Sequence, residues 1–296
     1  MTTPQRAVQG GGDIPRRLPA PRSYLYVPAT RPELIDKALA SRADAVVLDL
    51  EDAVPPDHKA AARANAAAVL ASAPPKPIYV RVNGLASGLA MDDLAAVATD
   101  HLAGVRIPKV EGPDEVEAVR AALDAAGCAA VVVPLIESAL GVERAFAIAS
   151  AHPSVATLAM GEADLRADLR AAADQGLDYA RSRCVLAARA ARRSPAVQSV
   201  HIRLDDETGL RLSTVRGRAL GFGGRSAIHP AQVAVINDVF SPSEEERARA
   251  AAIVAAYQEA QAQGLAVAVS PDGEFVDAPV ARDAAEVLAR YELPRD

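Results

Sequence analysis

The feature that most constrains the fold is an alternation of short β-rich runs with longer, alanine-rich amphipathic runs, which begins at Arg22. Several of the short runs, such as 131–136, are continuously apolar, which is typical of parallel strands covered by helices. The eight candidate strands are 23–28, 45–50, 78–82, 104–110, 130–137, 155–161, 196–203 and 224–228. Eight units of strand followed by helix predict an α/β fold, namely a closed (β/α)8 TIM barrel.

The alternation stops at Ser241, so the 296 residues do not all belong to the barrel. An acidic-to-basic helix is predicted from Glu244 to about Gln263, followed by a strand-like pair, 266–270 and 275–276, around a Pro-Asp-Gly turn. We therefore predict three parts. They are a flexible leader, 1–21, a catalytic barrel, 22–240, and a C-terminal appendage of helix and loop, 241–296. The pattern leaves open whether the appendage packs on its own barrel or on a neighbouring subunit.

Composition excludes several classes of partner. The net charge of −6 and an aromatic content of 3% argue against binding of nucleic acid, which needs a basic surface and often aromatic stacking. The sequence lacks 18 consecutive apolar residues, so we expect no membrane partner. Cys128 and Cys184 show no paired spacing and lie in alanine-rich runs, which predicts reduced core thiols in a cytoplasmic protein.

Polar side chains stand at the predicted carboxyl ends of the strands, where barrels of this kind carry their active sites. They are Asp49, Glu51, Asp52, Arg81, Asn83, Lys109, Glu137, Glu162, Asp164 and His229. Carboxylates that converge on one mouth repel each other unless a cation compensates them, and an all-oxygen site favours Mg2+. We assign Glu137 and Asp164 as the Mg2+ ligands because the fifth and sixth strands should be neighbours. Asp49, Glu51, Asp52 and Lys109 are expected to surround them. A salt bridge or a helix cap is the alternative for each carboxylate.

Arginine and lysine residues near the same mouth suggest an anionic ligand. Arg81 lies in the alternating run 79–83 and is suited to hold a carboxylate in bidentate geometry, which implies a small oxo- or hydroxy-acid. The alternative is a structural pairing of Arg81 with Asp49 or Glu51. No familiar phosphate-binding loop is present. Basic residues near the first strand and helix, Arg22, Arg31 and Lys37, are candidates for a phosphorylated ligand, with solvated helix charge as the alternative.

These residues fall within motifs that resemble the citrate lyase beta-subunit-like branch of the HpcH/HpaI aldolase superfamily. The motifs are Tyr24-Leu-Tyr-Val-Pro28 with Arg31-Pro32, 47–54 (VLDLEDAV), 80–83 (VRVN), 107–111 (IPKVE), 135–138 (LIES), Gly161 with Asp164-Leu165, 179–183 (YARSR) and 227–230 (AIHP). The resemblance spans about 22–283. It implies a Mg2+-dependent carbon–carbon lyase that cleaves or forms a short 3-hydroxyacyl-CoA, such as citryl-, citramalyl- or malyl-CoA, with acetyl-CoA and a 2-oxo acid as the other partners.

The resemblance also implies residue roles. Glu137 and Asp164 would bind Mg2+, with Glu137 also bordering the substrate. Arg81 would hold the carboxylate of the oxo acid. The phosphorylated ligand for which Arg22, Arg31 and Lys37 are candidates would then be CoA. Asp277 would be the catalytic acid/base, delivered by an adjacent subunit of a homo-oligomer, a trimer or a hexamer, which gives the appendage a function.

Two alternatives and two departures accompany this hypothesis. The same site could hydrolyse malyl- or citramalyl-CoA as a thioesterase, or the chain could be a non-catalytic paralogue that binds CoA. Ala163 stands where relatives usually carry an acidic residue before the metal-binding aspartate. Arg170 replaces a common glycine after Asp168-Leu169, so the loop beside the substrate is expected to differ.

Overall fold

The structure, a computed structural model, describes residues 20–291. The predicted leader, 1–21, lies outside the described residues except for Ala20 and Pro21. The described chain divides into two compact units, one of Ala20–Phe240 and a second that begins at Ser241.

The first unit is built on eight parallel strands that close into a barrel in the order of the sequence. The strands are β1 (Ser23–Pro28), β2 (Ala45–Asp49), β3 (Ile78–Arg81), β4 (Leu102–Ile107), β5 (Val131–Ile136), β6 (Ala159–Met160), β7 (Val197–Gln198) and β8 (Gly224–Ala227). The barrel closes where β8 pairs with β1, at Ser226 opposite Tyr24. The predicted (β/α)8 fold is therefore confirmed.

Helices follow the strands and cover the outside of the barrel. They are α1 (Pro32–Ala40), α2 (Lys59–Ala71), α3 (Ala90–Val97), α4 (Pro113–Ala125), α5 (Ala139–Glu143), α6 (Ala145–Ser150), α7 (Glu162–Asp168), α8 (Asp178–Ala190), α9 (Glu207–Leu220) and α10 (Pro230–Phe240). Proline opens α1 and α4, as it does at the first turn of many helices. Gly221, with φ of 100°, ends α9 in the left-handed conformation that glycine adopts without strain.

Two apolar layers stabilise the barrel, and both use mostly aliphatic side chains. Val46, Leu48 and Val80 belong to the larger layer of buried residues, between the strands and the helices. A second cluster includes Tyr24 and Tyr79 and lies inside the barrel. Gly104 is required there, because a Cβ at this position would lie 2.5 Å from the Tyr79 ring. The scarcity of aromatic residues is therefore compatible with a filled barrel.

Strand bounds differ from the predictions where the chain leaves the sheet early. The fourth strand ends at Ile107, because Lys109 has φ of 57° and turns the chain out of the extended conformation. The sixth and seventh strands keep only two residues each. Beside them, the Thr157 hydroxyl donates to the carbonyl of Pro195 at 2.9 Å, which adds a side-chain bond between the two segments.

The second unit contains α11 (Glu244–Ala262), the antiparallel pair β9 (Ala268–Val269) and β10 (Phe275–Val276), and α12 (Ala278–Tyr291). A capping box begins α11, since Ser243 and Glu246 exchange side-chain and backbone hydrogen bonds. Small and aliphatic residues form the core of this unit: Ala250, Ile253, Val276, Ala281 and Ala284. The helix and the strand pair lie where the sequence predicts them, with a shorter first strand.

Two predictions about residue classes can be compared with the described chain. Cys128 and Cys184 are both buried and free, as expected of core thiols. Among the helices within 20–291, none combines the length and the apolar character needed to cross a membrane.

Candidate active site

An acidic turn follows β2 at the carboxyl end of the barrel, and hydrogen bonds between its backbone and the side chains of Asp49 and Lys59 fix its conformation. The buried carboxylate of Asp49 accepts hydrogen bonds from the backbone N–H groups of Glu51 at 3.0 Å and Ala53 at 3.2 Å. Lys59 fixes the same turn, because its Nζ donates to the carbonyls of Leu50 and Glu51, both at 2.7 Å. The position of the Glu51 carboxylate is thus set by both ends of the turn.

Arg81, at the end of β3, pairs with this acidic turn. Its Nε and Nη2 each lie 2.7 Å from one oxygen of Asp49. Its Nη1 lies 3.0 Å from Glu51 Oε2, without the alignment of a hydrogen bond, and 3.3 Å from Asp52 Oδ2. Burial lowers the pKa of Arg81, but the hydrogen bonds and charge of Asp49 outweigh it and raise that pKa above its usual value. The structural pairing that the sequence left open is therefore present.

Lys109 connects two carboxylates that come from different strands. Its backbone N–H donates to Glu137 Oε2 at 2.9 Å, and its Nζ donates to Glu51 Oε1 at 2.8 Å. The left-handed backbone of Lys109, uncommon for a residue with a side chain, is the conformation from which it makes both bonds. These contacts lie on the carboxyl-end side of β2, β4 and β5.

Glu137 follows β5 and is buried among like charges. Burial raises its pKa to about 7, with further increases from the charges of Glu51 and Asp164. The chain after β6 packs against the Glu137 carboxylate, because a Cβ on Gly161 would lie only 2.2 Å from Glu137 Oε1. Asp164 is exposed in the first turn of α7, close enough for its charge to act on Glu137. The structure brings the two predicted metal ligands into one electrostatic environment.

The donor set suits a hard cation. Within 20–291, no group of three or more histidine, cysteine, aspartate or glutamate side chains forms a complete metal cage. Mg2+ does not need such a cage, because it is commonly held by one or two carboxylates and keeps several water ligands. A buried carboxyl with a raised pKa beside further carboxylates is the arrangement that a divalent cation compensates. Glu137 and Asp164 therefore fit Mg2+.

Glu162 is occupied by an ion pair that ties α7 to α8. Arg181 donates from Nε to Glu162 Oε1 at 2.9 Å and from Nη2 to Oε2 at 2.6 Å. The same guanidinium binds Asp174, and its hydrogen bonds lower the pKa of Asp174 to about 2. Arg181 itself is buried, so these ion pairs lie away from solvent on its side.

The three basic residues predicted to contact CoA do not share one location. Arg22 precedes β1, at the opposite end of the barrel, and is 2% exposed. Its guanidinium is held by both oxygens of Asp44, at 2.7 and 2.9 Å, so the predicted CoA contact of Arg22 is not supported. Arg31 follows β1 at the mouth, is exposed and pairs with Glu33. Lys37 is exposed in the last turn of α1, a helix that begins at the mouth and runs away from it.

Asp277 lies in the second unit, between β10 and α12. Its Oδ1 accepts a hydrogen bond from the Val280 N–H at 3.1 Å, and its carbonyl accepts one from Ala281 N at 2.9 Å. The side chain is partly exposed and caps the helix. Its predicted role as an acid/base supplied to another subunit stays a prediction.

Two polar residues of the barrel interior escaped the sequence reasoning. Arg106, in β4, is fully buried and donates to the Tyr26 hydroxyl at 3.0 Å. Tyr26 also carries the Arg81 guanidinium over its ring, at 5.2 Å from the ring centroid. Successive side chains of a strand point to opposite faces. Gly104 of β4 faces Tyr79 inside the barrel, so Arg106, two residues later, also points inward, and this alternation was the signal in the sequence.

Comparison with known proteins shows which proteins the chain is similar to. The profile of the HpcH/HpaI aldolase/citrate lyase family matches residues 22–230. The chain is 38% identical to a (3S)-malyl-CoA thioesterase of Cereibacter sphaeroides, over 92% of this chain and 94% of the relative. It is 39% identical to a citrate lyase subunit beta-like protein of Deinococcus radiodurans, over 90% and 96%. Among solved structures, CitE from Mycobacterium tuberculosis in complex with magnesium, acetoacetate and coenzyme A is similar with a TM-score of 0.72 and 31% identity, over 91% of this chain and 97% of that one.

Proposed function

The chain belongs to the HpcH/HpaI aldolase/citrate lyase family, and from that premise we propose that it is a Mg2+-dependent lyase for a short 3-hydroxyacyl-CoA. The reaction cleaves the substrate to acetyl-CoA and a 2-oxo acid, or runs in the direction of condensation. The observation that carries the proposal is the pair of Glu137, buried with a pKa raised to about 7, and Asp164, whose charge contributes to that increase.

On this proposal Glu137 and Asp164 hold Mg2+. A bound Mg2+ supplies Lewis-acid stabilisation of negative charge on the oxygen of the carbon where the bond breaks or forms. With a cation held there, the mutual repulsion of Glu137, Glu51 and Asp164 would be offset and Glu137 would be ionised at neutral pH. Lys109 fixes the Glu137 carboxylate through its backbone N–H and keeps Glu51 at a defined distance.

Arg81 orients the acid portion of the substrate. Two of its nitrogens are committed to Asp49, so the carboxylate of the oxo acid would be met by the remaining Nη1 edge, beside Glu51 and Asp52. The exposed Arg31, which lies at the mouth, is the remaining candidate for the phosphates of CoA. Cleavage would move the hydroxyl proton to the carboxylate of Asp277 from a neighbouring subunit, break the carbon–carbon bond and leave an enolate of acetyl-CoA. The carboxyl of Asp277 would then return this proton to the enolate carbon.

A thioesterase is the second candidate, and a specific observation favours it. The relatives that are 38% and 37% identical over 92% of this chain carry the name (3S)-malyl-CoA thioesterase. In that reaction water adds to the thioester carbonyl, the C–S bond breaks and the CoA thiol leaves with a proton. The same carboxylates would then direct water instead of stabilising carbon–carbon cleavage.

One assay separates these reactions. Purified protein is incubated with Mg2+, acetyl-CoA and glyoxylate, pyruvate or oxaloacetate, and free thiol and acyl-CoA masses are followed together. A lyase forms the adduct without releasing thiol, whereas a thioesterase releases thiol in step with the disappearance of the adduct. Binding of CoA without either product would identify a non-catalytic paralogue.

The metal assignment has its own test. Glu137→Ala and Asp164→Ala should each abolish Mg2+-dependent turnover and Mg2+ binding by calorimetry while the folded circular dichroism spectrum is kept. Asp238→Ala, which breaks an exposed ion pair with Arg211, is the control and should behave as the wild type. Full activity in both site variants would overturn the assignment of Glu137 and Asp164.

A further inference from the structure

Arg106 is a buried cation without an anionic partner in the described part of the chain. Arg106 lies on β4, inside the barrel, and is 0% exposed. Nη1 donates to the hydroxyls of Tyr26 at 3.0 Å and Ser226 at 2.9 Å, but Nε and Nη2 have no hydrogen-bond partner there. A buried charge without a carboxylate costs free energy, because desolvation is not offset by an ion pair.

Aromatic rings recover only part of this cost. The guanidinium carbon of Arg106 lies 4.4 Å from the centroid of the Tyr24 ring and 5.2 Å from that of Tyr26. Such cation–π contacts offset less free energy than the burial of an unpaired ion costs. Arg106 is therefore expected to destabilise the barrel, and a residue that does so in a core position points to a role other than stability.

The geometry of the Tyr26 hydroxyl indicates that role. A guanidinium nitrogen can only donate, so the Tyr26 oxygen is the acceptor in its bond with Arg106. The hydroxyl hydrogen of Tyr26 must then point elsewhere, and no residue within 20–291 accepts it. Tyr26 is partly exposed, and its ring lies 5.2 Å from the guanidinium carbon of Arg81.

The balance of charges around Tyr26 indicates the charge of a ligand that would bind beside it. The charge of Arg81 is compensated by Asp49, Glu51 and Asp52, whereas that of Arg106 is uncompensated. In surroundings of low dielectric constant, an uncompensated cation beneath Tyr26 favours an anion on the exposed side of the ring. It also strengthens the hydrogen-bond donor at the Tyr26 hydroxyl, because bonds in a chain polarise one another.

We propose that Tyr26 donates its hydroxyl hydrogen to an oxygen of the small oxo acid that Arg81 binds, and that Arg106 is the positioning residue that holds and polarises this hydroxyl. The inference rests on the proposed function, because it takes the oxo acid to lie beside Arg81. It adds a second point of recognition for the acid, supplied by the barrel interior.

The test compares stability with binding of the acid in the same variants. Arg106→Met removes the charge from a core position while keeping a long, flexible apolar side chain. It should raise the thermal unfolding temperature. It should also weaken the binding of pyruvate or glyoxylate about ten-fold, measured as the KM for the acid in the reaction with acetyl-CoA and as Kd by calorimetry with Mg2+, and change kcat less. Tyr26→Phe should weaken the binding of the acid by the same factor. The double variant should bind the acid no more weakly than either single variant, because both substitutions remove the same chain of hydrogen bonds.

Arg225→Met is the matched control. Arg225 is also a buried arginine of the barrel, but it faces α9, with Nε bonded to the Ser199 carbonyl at 3.0 Å and Nη1 to the hydroxyls of Ser213 and Thr214 at 2.8 and 2.7 Å. Its replacement should lower the unfolding temperature and leave the affinity for the acid within two-fold.

Several outcomes would overturn the inference. One is an Arg106→Met variant that fails to fold or is destabilised as much as Arg225→Met; another is an unchanged affinity for the acid in Arg106→Met or Tyr26→Phe. Additive effects in the double variant would also contradict it. A wild-type protein that binds the acid but does not turn it over would refute the proposed function and still test the inference by Kd. A wild-type protein that binds no oxo acid would refute both.

Discussion

Arg81 and Asp49 form a bidentate ion pair in which Nε and Nη2 of the arginine each lie 2.7 Å from one carboxylate oxygen. The side chains are 13% and 2% exposed, so this geometry is set by the fold before a substrate arrives. An arginine that is already oriented loses less conformational freedom when it binds a ligand. The same pair occupies two of the three guanidinium nitrogens, so on the proposed function it would also determine which edge of Arg81 is left for the substrate.

Breaking this pair should be costly because it leaves a buried charge behind. We expect Asp49→Ala to lower the free energy of unfolding by about 3–5 kcal/mol in urea titrations. The double variant Asp49→Ala with Arg81→Met should recover part of that loss. The exposed pair of Arg211 and Asp238 provides the comparison, and Asp238→Ala should cost about 0–1 kcal/mol. Equal losses for the two aspartates would show that burial does not govern the Asp49 pair.

Gly161 should tolerate no side chain, because a Cβ there would meet the Glu137 carboxylate at 2.2 Å. Gly161→Ala is expected to displace Glu137 and to reduce Mg2+ affinity and turnover at least ten-fold, on the scale of losses caused by small misplacements of catalytic groups. Gly84→Ala is the control near the end of β3, since its Cβ would approach only Pro108 at 3.9 Å. Similar Mg2+ affinities for the two variants, measured by calorimetry, would contradict the close packing of residue 161.

Glu137 should make stability depend on pH when metal is removed with a chelator. Its pKa is about 7 in the folded chain, against 4.5 for an ordinary glutamate, because of burial and then the charge of Glu51. Between these values the folded chain retains a proton that the unfolded chain releases, so the free energy of unfolding decreases as pH rises through this window and stays reduced above it. Glu137→Gln should therefore be more stable than the wild type by about 3 kcal/mol at pH 8, with the gap closing toward pH 4.

Thermal unfolding with and without Mg2+ measures this effect. Addition of Mg2+ at pH 8 should stabilise the wild type, because a ligand that binds only the folded state shifts the equilibrium, and should leave Glu137→Gln nearly unchanged. A stability gap that does not vary between pH 4 and pH 8 would refute the raised pKa of Glu137.

The proposed sharing of a site between subunits predicts complementation. Asp277→Ala and Arg81→Ala should each be inactive, but mixing the two proteins under conditions of subunit exchange should restore a fraction of the wild-type rate. The restored sites combine an intact barrel with an intact Asp277 from its neighbour. Exchange is verified independently by mass spectrometry of labelled subunits. If exchange is complete and no activity returns, the acid/base belongs to the same chain as the barrel.

The repeating strands could be predicted from the sequence. Contacts that depend on which end of a strand a residue occupies were missed. Alternation and apolar runs placed all eight strands in their order, because each strand must bury both faces. The same rule placed Asp49, Glu137 and Asp164 at the carboxyl ends. Arg22 was misplaced because closeness to β1 in sequence was weighed above its position before the strand, which directs it to the opposite end.

Buried arginines were the other limit of sequence reasoning. A charged side chain inside an apolar strand normally signals a boundary or a site, and its partners come from strands far along the chain. Arg106 contacts Ser226 across 120 residues, and Arg181 contacts Glu162 from the next helix. Burial and pairing of such residues are tertiary properties, which a single sequence does not reveal.

The barrel wall is uneven beneath the two proposed metal ligands. Glu137 follows β5, which pairs with β4 along four register positions, whereas Asp164 follows β6, which pairs with β7 at a single register position, Ala159 opposite Val197. Short ladders open at lower free energy than long ones, so amide protons around β6 and β7 should exchange with solvent faster than those of β4 and β5. The proposed Mg2+ would connect the more rigid part of the barrel, β4 and β5, to the more mobile part, β6 and β7. Its binding would then slow exchange mainly around β6 and β7 and couple metal occupancy to the local rigidity of these two strands.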